Sequence, residues 1–151
     1  MKLVYVAGRF SAPDREGVEA NILAAALVGL EVAKVGGFPL IPHCNTAHPD
    51  FEKVQPYRFW IDATMAMLCT CEALILVAGW ETSSGARGEV AAAQERGMPV
   101  FQPGDYAGLA WWLRGSADTI APPPELPLSV SFEGLPDSRT RCELPTIPGD
   151  E

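Results

Sequence analysis

The chain is predicted to be an α/β protein, a flavodoxin-like or Rossmann-like parallel sheet with helices on both faces. Two observations predict this. Short apolar runs at residues 3–7, 38–41, 73–77 and 99–101 alternate with longer stretches of helical periodicity. Strands that alternate with helices from the first residues imply parallel pairing, because each crossover must carry a helix over the sheet. The strand runs also lack polar alternation, as strands covered on both faces do.

Residues 3–7 are a β-branched and aromatic run that ends at Gly8, the pattern of a buried strand. Residues 9–15 form a loop around Pro13. Residues 16–35 are helical, with Val18, Ile22, Leu23, Ala26, Leu27, Leu30 and Val35 at core-facing spacing. Gly36-Gly37 stops that helix. Residues 38–41 are a second strand, placed near an edge by Pro39. Residues 42–56 read as a long polar loop, and long loops at strand ends tend to carry function. Residues 57–70 are a helix with Phe59, Ile61, Met65 and Leu68 as core positions. The third strand is residues 73–77, the next helix residues 84–96 with Gly97 as its stop, and the fourth strand residues 99–101. Residues 105–114 are a short helix with Trp111 and Trp112. Residues 1–120 thus form the α/β domain. Residues 121–151 are a Pro-rich tail, opened by Pro122-Pro123-Pro124, in which only residues 128–132 have a strand pattern.

Composition bounds the function. The chain has 151 residues, enough for one sizeable core. A net charge of -8 argues against polynucleotide binding, which needs a basic surface. A small anionic ligand stays open, since a helix N-terminus and one arginine suffice for it. No run approaches the ~20 apolar residues of a membrane span. No signal-peptide core is present, so the cytoplasm is the expected location. Cys44, Cys69, Cys71 and Cys142 show no disulfide-rich or metal-binding spacing, and they read as buried apolar thiols. His43 and His48 flank Cys44, but a fourth metal ligand is not evident. Redox and dinucleotide cofactors are not expected either. The first loop holds one glycine rather than three, and no Walker lysine follows Gly85.

The chemistry-bearing segment is Ala78-Gly79-Trp80-Glu81-Thr82-Ser83-Ser84-Gly85-Ala86-Arg87-Gly88-Glu89. It joins a buried strand to a helix start, where free backbone N–H groups attract an anion. Glu89, a turn later, places a carboxylate near that anion, and the helix dipole is expected to keep it ionised. In open parallel sheets ligands sit at the carboxyl ends of the strands, at the switch in strand order. That rule brings together the loops after Gly8, after Pro42 and after Gly79.

Three segments carry a family resemblance. Val4-Tyr5-Val6-Ala7-Gly8-Arg9-Phe10 resembles the opening strand and loop of the nucleoside 2-deoxyribosyltransferases. Ser84-Gly85-Ala86-Arg87-Gly88-Glu89 looks like their Ser-Gly-x-x-x-Glu, and residues 71–81 resemble the third strand of one branch of that superfamily. The likeness covers roughly residues 3–101 and extends to sister enzymes that hydrolyse nucleoside 5′-monophosphates. More distantly, it extends to the cytokinin-activating phosphoribohydrolases. It implies that Glu89 attacks the anomeric carbon of a ribose or deoxyribose and that Tyr5 orients Glu89. It implies that Ser84 and Gly85 bind a 5′-phosphate or 5′-hydroxyl, and that Gly8 lets the first loop approach the sugar. It implies a nucleotide or nucleoside as the small-molecule partner, and a homodimer, with Trp111, Trp112 and the tail as interface candidates.

The chain departs from the family pattern twice. Arg9 replaces the usual proline after Ala-Gly, and a cation there favours a phosphorylated ligand. The family also carries an aspartate eight residues before an acid at the start of the third strand. Counting back from Glu72 lands on Thr64, with Asp62 two residues earlier as the substitute acid. Phe10, Asn45, Gly79 and Trp80 complete the expected binding residues; His43, His48, Trp60 and Arg87 are further candidates. Sequence leaves hydrolysis and deoxyribosyl transfer both open. It also leaves open a non-catalytic nucleotide sensor, which Thr64 favours, and an interaction protein that docks through its Pro-rich tail.

Overall fold

The computed structural model describes residues 1–115, and the tail from 121 with its strand pattern at 128–132 lies outside them. Four strands, β1 (Leu3–Ala7), β2 (Phe38–Leu40), β3 (Ala73–Leu76) and β4 (Val100–Phe101), form one sheet in the order β2-β1-β3-β4. Every pair is parallel. The fold is the predicted flavodoxin-like or Rossmann-like α/β sheet, with β1 interior and the Pro39-bearing β2 at an edge.

Side-chain alternation along β1 and β3 divides the core between two faces. Val4 and Val6 of β1 join Ala73 and Ile75 of β3 on one face. There they meet Ala25 and Val32 of α1 (Arg15–Lys34) and Leu109 of α6 (Tyr106–Arg114). Tyr5 and Ala7, with Leu74 and Leu76, face the other way. They meet Leu68 of α4 (Tyr57–Cys69) and Val90 and Ala93 of α5 (Ser84–Glu95). Tyr5 is therefore committed by strand parity to the α4 and α5 side.

Side-chain caps fix three of the helix starts. Asp14 accepts the Gly17 N–H at α1, Ser83 accepts the Ala86 N–H at α5, and Asp105 accepts the Gly108 N–H at α6. Each satisfies an N–H that the first turn leaves free. Among the described residues no helix is long and apolar enough to cross a membrane.

Four expectations are corrected. Residues 42–56 are not a plain loop: they hold two one-turn helices, α2 (Pro42–Asn45) and α3 (Phe51–Val54). In α1 the leucines 23, 27 and 30 are exposed, not in the core. The buried positions are Ala25, Gly29 and Val32, because Gly29 meets Ile41 and Pro39 at close range and draws the small-residue side onto the sheet. In α4 only Leu68 is buried, and Phe59 is exposed. Of the described cysteines, Cys44 and Cys69 are exposed and Cys71 is buried.

Candidate functional site

A cavity of about 530 Å³ opens at the carboxyl ends of β1 and β3. That is the size of an ordinary small-molecule site. Its floor is Gly8, Arg9, Phe10 and Ser11 after β1; one wall is the start of α5, from Thr82 to Ala86 with Glu89; the other is contributed by α2, α3 and α4.

Glu89 lines this cavity, and behind it the buried Tyr5 phenol donates a 2.7 Å hydrogen bond to Glu89 Oε1. Tyr5 is fully buried, so this bond satisfies a hydroxyl that would otherwise be stranded. The pair spans 84 positions of sequence. Strand parity aims Tyr5 at α5, and Glu89 lies four residues after Gly85, on the same side of the helix. Burial pushes the Glu89 carboxyl up to about 7, and the Tyr5 hydrogen bond partly counters that shift. The expectation that the helix dipole keeps Glu89 fully ionised is thus corrected: loss of water outweighs it. Burial, and next the Glu89 charge, push the Tyr5 phenol upward, so it acts as a donor throughout.

Two glycines set the course of the chain after β1 and β3. A Cβ on Gly8 would stand 2.8 Å from Val77 Cβ, so the first loop passes β3 closely only because this residue has no side chain. Gly79 has φ 81°, and this left-handed turn leads β3 into the short 3-10 segment Trp80–Thr82. Neither Gly79 nor Trp80 lines the cavity. Trp80 instead packs against the Tyr5-side core. Ser84 and Gly85 do line it, and their N–H groups, in the first turn of α5, have no intrahelical acceptor. Across the floor Arg9 donates Nε–H to the Ser11 carbonyl at 2.8 Å. Its guanidinium has no carboxylate in ion-pair range among the described residues.

The far wall is aromatic. Trp60 meets Phe51 edge-on at 5.2 Å, and Phe10 tilts against His43 at 5.9 Å. His43 is buried, and its Nε2 lies 3.2 Å from the Arg9 carbonyl. A carbonyl only accepts, so Nε2 carries the proton and Nδ1 is left as an acceptor. Burial pushes the imidazole down, which keeps it neutral. His43 Nδ1 and Trp60 Nε1 are buried without partners, unusual in a finished interior.

Several candidates stand elsewhere. Asp62 is exposed, 2.8 Å from Arg58, and is not in the cavity. Thr64 is: it donates to the Ile61 carbonyl at 3.0 Å and stands beside the Tyr5 phenol. Asn45 is exposed and contacts Met67 Sδ at 3.7 Å instead of the cavity. Arg87 is turned back onto the Glu81 carbonyl at 2.9 Å, and Nδ1 of exposed His48 accepts the Asp50 N–H at 3.2 Å. Glu72, the landmark for the count to Thr64, accepts the Leu3 N–H. Sequence reasoning missed Thr46, Phe51, Gln55, Tyr57 and Ser83. Ser83 alone had a legible signal, a serine placed to cap the helix that begins at Ser84.

One family model matches residues 2–104, a span that runs from β1 past β4 and includes every residue of the cavity. The chain belongs to the DUF1937 family, described as a domain of unknown function. No curated protein matches the chain. Among the described residues no three His, Cys, Asp or Glu side chains converge to hold a metal.

Proposed function

We propose that this DUF1937 protein cleaves the N-glycosidic bond of a nucleotide or nucleoside through a glutamate glycosyl-enzyme. The observation that carries the reading is Glu89, held from behind by the buried Tyr5 hydroxyl, in the wall of a cavity that the start of α5 also lines. Tyr5 holds Oε1 and leaves Oε2 to act. In its ionised form Oε2 attacks C1′ of the sugar. The C1′–N bond breaks, and the base leaves with the electron pair and takes up a proton. Water then attacks C1′, frees the Glu89 carboxylate and gives up a proton. If a second base takes water's place, the same intermediate gives transfer.

The resemblance to nucleoside 2-deoxyribosyltransferases and nucleotide N-glycosidases supports this reading. Arg9, which lines the same cavity as Ser84 and Gly85 with their free N–H groups, favours a 5′-phosphate, and so hydrolysis of a monophosphate. The aromatic wall suits a planar base. The cytoplasm is the compartment where such substrates abound, and we assign the protein there.

The test is incubation with ribo- and deoxyribonucleoside 5′-monophosphates and their nucleosides, followed by chromatography for free base. Base release that disappears in Glu89→Ala is the expected result. Thr64, in the cavity where the nucleoside 2-deoxyribosyltransferase pattern has an aspartate, favours a second reading: a nucleotide sensor that binds without cleaving. Calorimetric binding with no base release in the same samples would establish that reading instead.

A further inference from the structure

Helix α1 turns its largest apolar side chains away from the core. Leu23, Leu27 and Leu30 are 60%, 55% and 52% exposed, and the side beneath them is the small-residue side that faces the sheet. Positions 23, 27 and 30 follow i, i+4, i+7 spacing, so the three leucines form one stripe. Such a stripe of large apolar residues on one face marks an interaction surface.

Its pattern indicates the occupant. In line with the leucines stand Glu16 in the first turn of α1 and Lys34 in the last. Reversed about residue 25, position 16 falls on 34, 23 on 27, and 20 on 30. Reversal therefore sets acid against base at both ends and leucine against leucine in the middle, with exposed Ala20 giving room for Leu30. A twofold interface requires this self-complementarity, in which each residue meets the other's counterpart.

We infer that two copies of this chain pair through the outer face of α1, with the helices antiparallel about a twofold axis level with residue 25. Glu16 of one copy then meets Lys34 of the other, which in the single chain rests on Glu31 at 2.7 Å. Leu23 of one copy packs on Leu27 of the other, and opposed helix dipoles add a favourable alignment. A helix face about 30 Å long covers less than the ~800 Å² per partner of a standard interface. The pairing is therefore concentration-dependent.

The experiment is sedimentation velocity on the full chain from low micromolar to near millimolar concentration. The wild type is expected to move from monomer to dimer. Leu27→Glu is expected to stay monomeric throughout with unchanged circular dichroism and melting temperature, since its side chain supports no core contact. Lys34→Glu should weaken association about three- to tenfold, and adding Glu16→Lys to it should restore association. Trp111→Glu, exposed on α6, should leave the dimer intact. A wild type that stays monomeric overturns the inference, and so does a dimer that survives Leu27→Glu. A monomeric wild type that Leu27→Glu destabilises means that the stripe is covered from within one chain, which also overturns it. Failure of the charge exchange to restore pairing overturns the register.

Discussion

At the scale of the residue, Glu89 is a carboxylate held in two roles at once. Burial raises its pKa to about 7, and Tyr5 draws it partway back. The folded state thus binds the proton more tightly than the unfolded chain, so stability falls as pH rises from about 4.5 to about 7. A shift of that size corresponds to roughly 3 kcal/mol. Glu89→Gln keeps the shape and removes the charge. Thermal unfolding at pH 5 should give similar melting temperatures for variant and wild type, and at pH 8 the variant should melt higher. Equal differences at both pH values would contradict a protonation-linked cost. If Glu89 acts as a nucleophile, kcat/KM rises with pH to a plateau above about 7. Tyr5→Phe deletes the bond that lowers the Glu89 pKa, so the rising limb of its pH profile should move to higher pH. Arg9 is testable by substrate comparison. Arg9→Ala should raise KM for a nucleoside 5′-monophosphate about 10- to 100-fold and barely change KM for the matching nucleoside.

At the scale of the element, the site depends on how β1 and α5 end. Gly8→Ala puts a methyl group against Val77, so the first loop must lift from the end of β3. The fold should survive, since the clash lies beyond the strand itself, but catalytic efficiency should fall at least tenfold. Ser83→Ala removes the cap of α5 and should cost about 1 kcal/mol, read by urea denaturation. Elements also explain what sequence could and could not reveal. The α5 start was legible because a strand, a small-residue loop and a serine cap occur in one unbroken stretch. Asp62 was misplaced because two positions along a helix turn a side chain well over a quarter-circle, and only the helix phase separates it from Thr64. The α1 leucines were misassigned because periodicity marks a stripe without saying which way it faces. Gly29 decided the matter by meeting Ile41, 12 positions later in the chain. The wall built by α2, α3 and α4 was legible only in part: His43 and Trp60 stand among the sequence candidates, whereas Phe51 and Tyr57 carry no motif and join them only in three dimensions.

At the scale of the whole molecule, the parallel sheet follows from four short apolar runs separated by helices, and every strand pairing agrees with that pattern. Strand parity then does two jobs. It splits β1 into Val4 and Val6 on one face and Tyr5 and Ala7 on the other, and it aims Tyr5 at the helix that carries Glu89. With a net charge of -8, any attraction for the proposed anionic ligand must come locally, from Arg9 and the α5 N-terminus. Binding of a monophosphate should therefore weaken as salt screens that local attraction, measured by titration at several ionic strengths.

The most direct test of the central claim compares free-base release by wild type and Glu89→Gln on the best monophosphate or nucleoside at pH 7.5. The glutamine preserves volume and can still meet the Tyr5 hydroxyl, but it lacks the nucleophilic carboxylate. Base release by the wild type that falls at least a thousandfold in the variant, with binding retained, is the predicted result. Release at a comparable rate by Glu89→Gln would show that the carboxylate lining the cavity does not perform the cleavage.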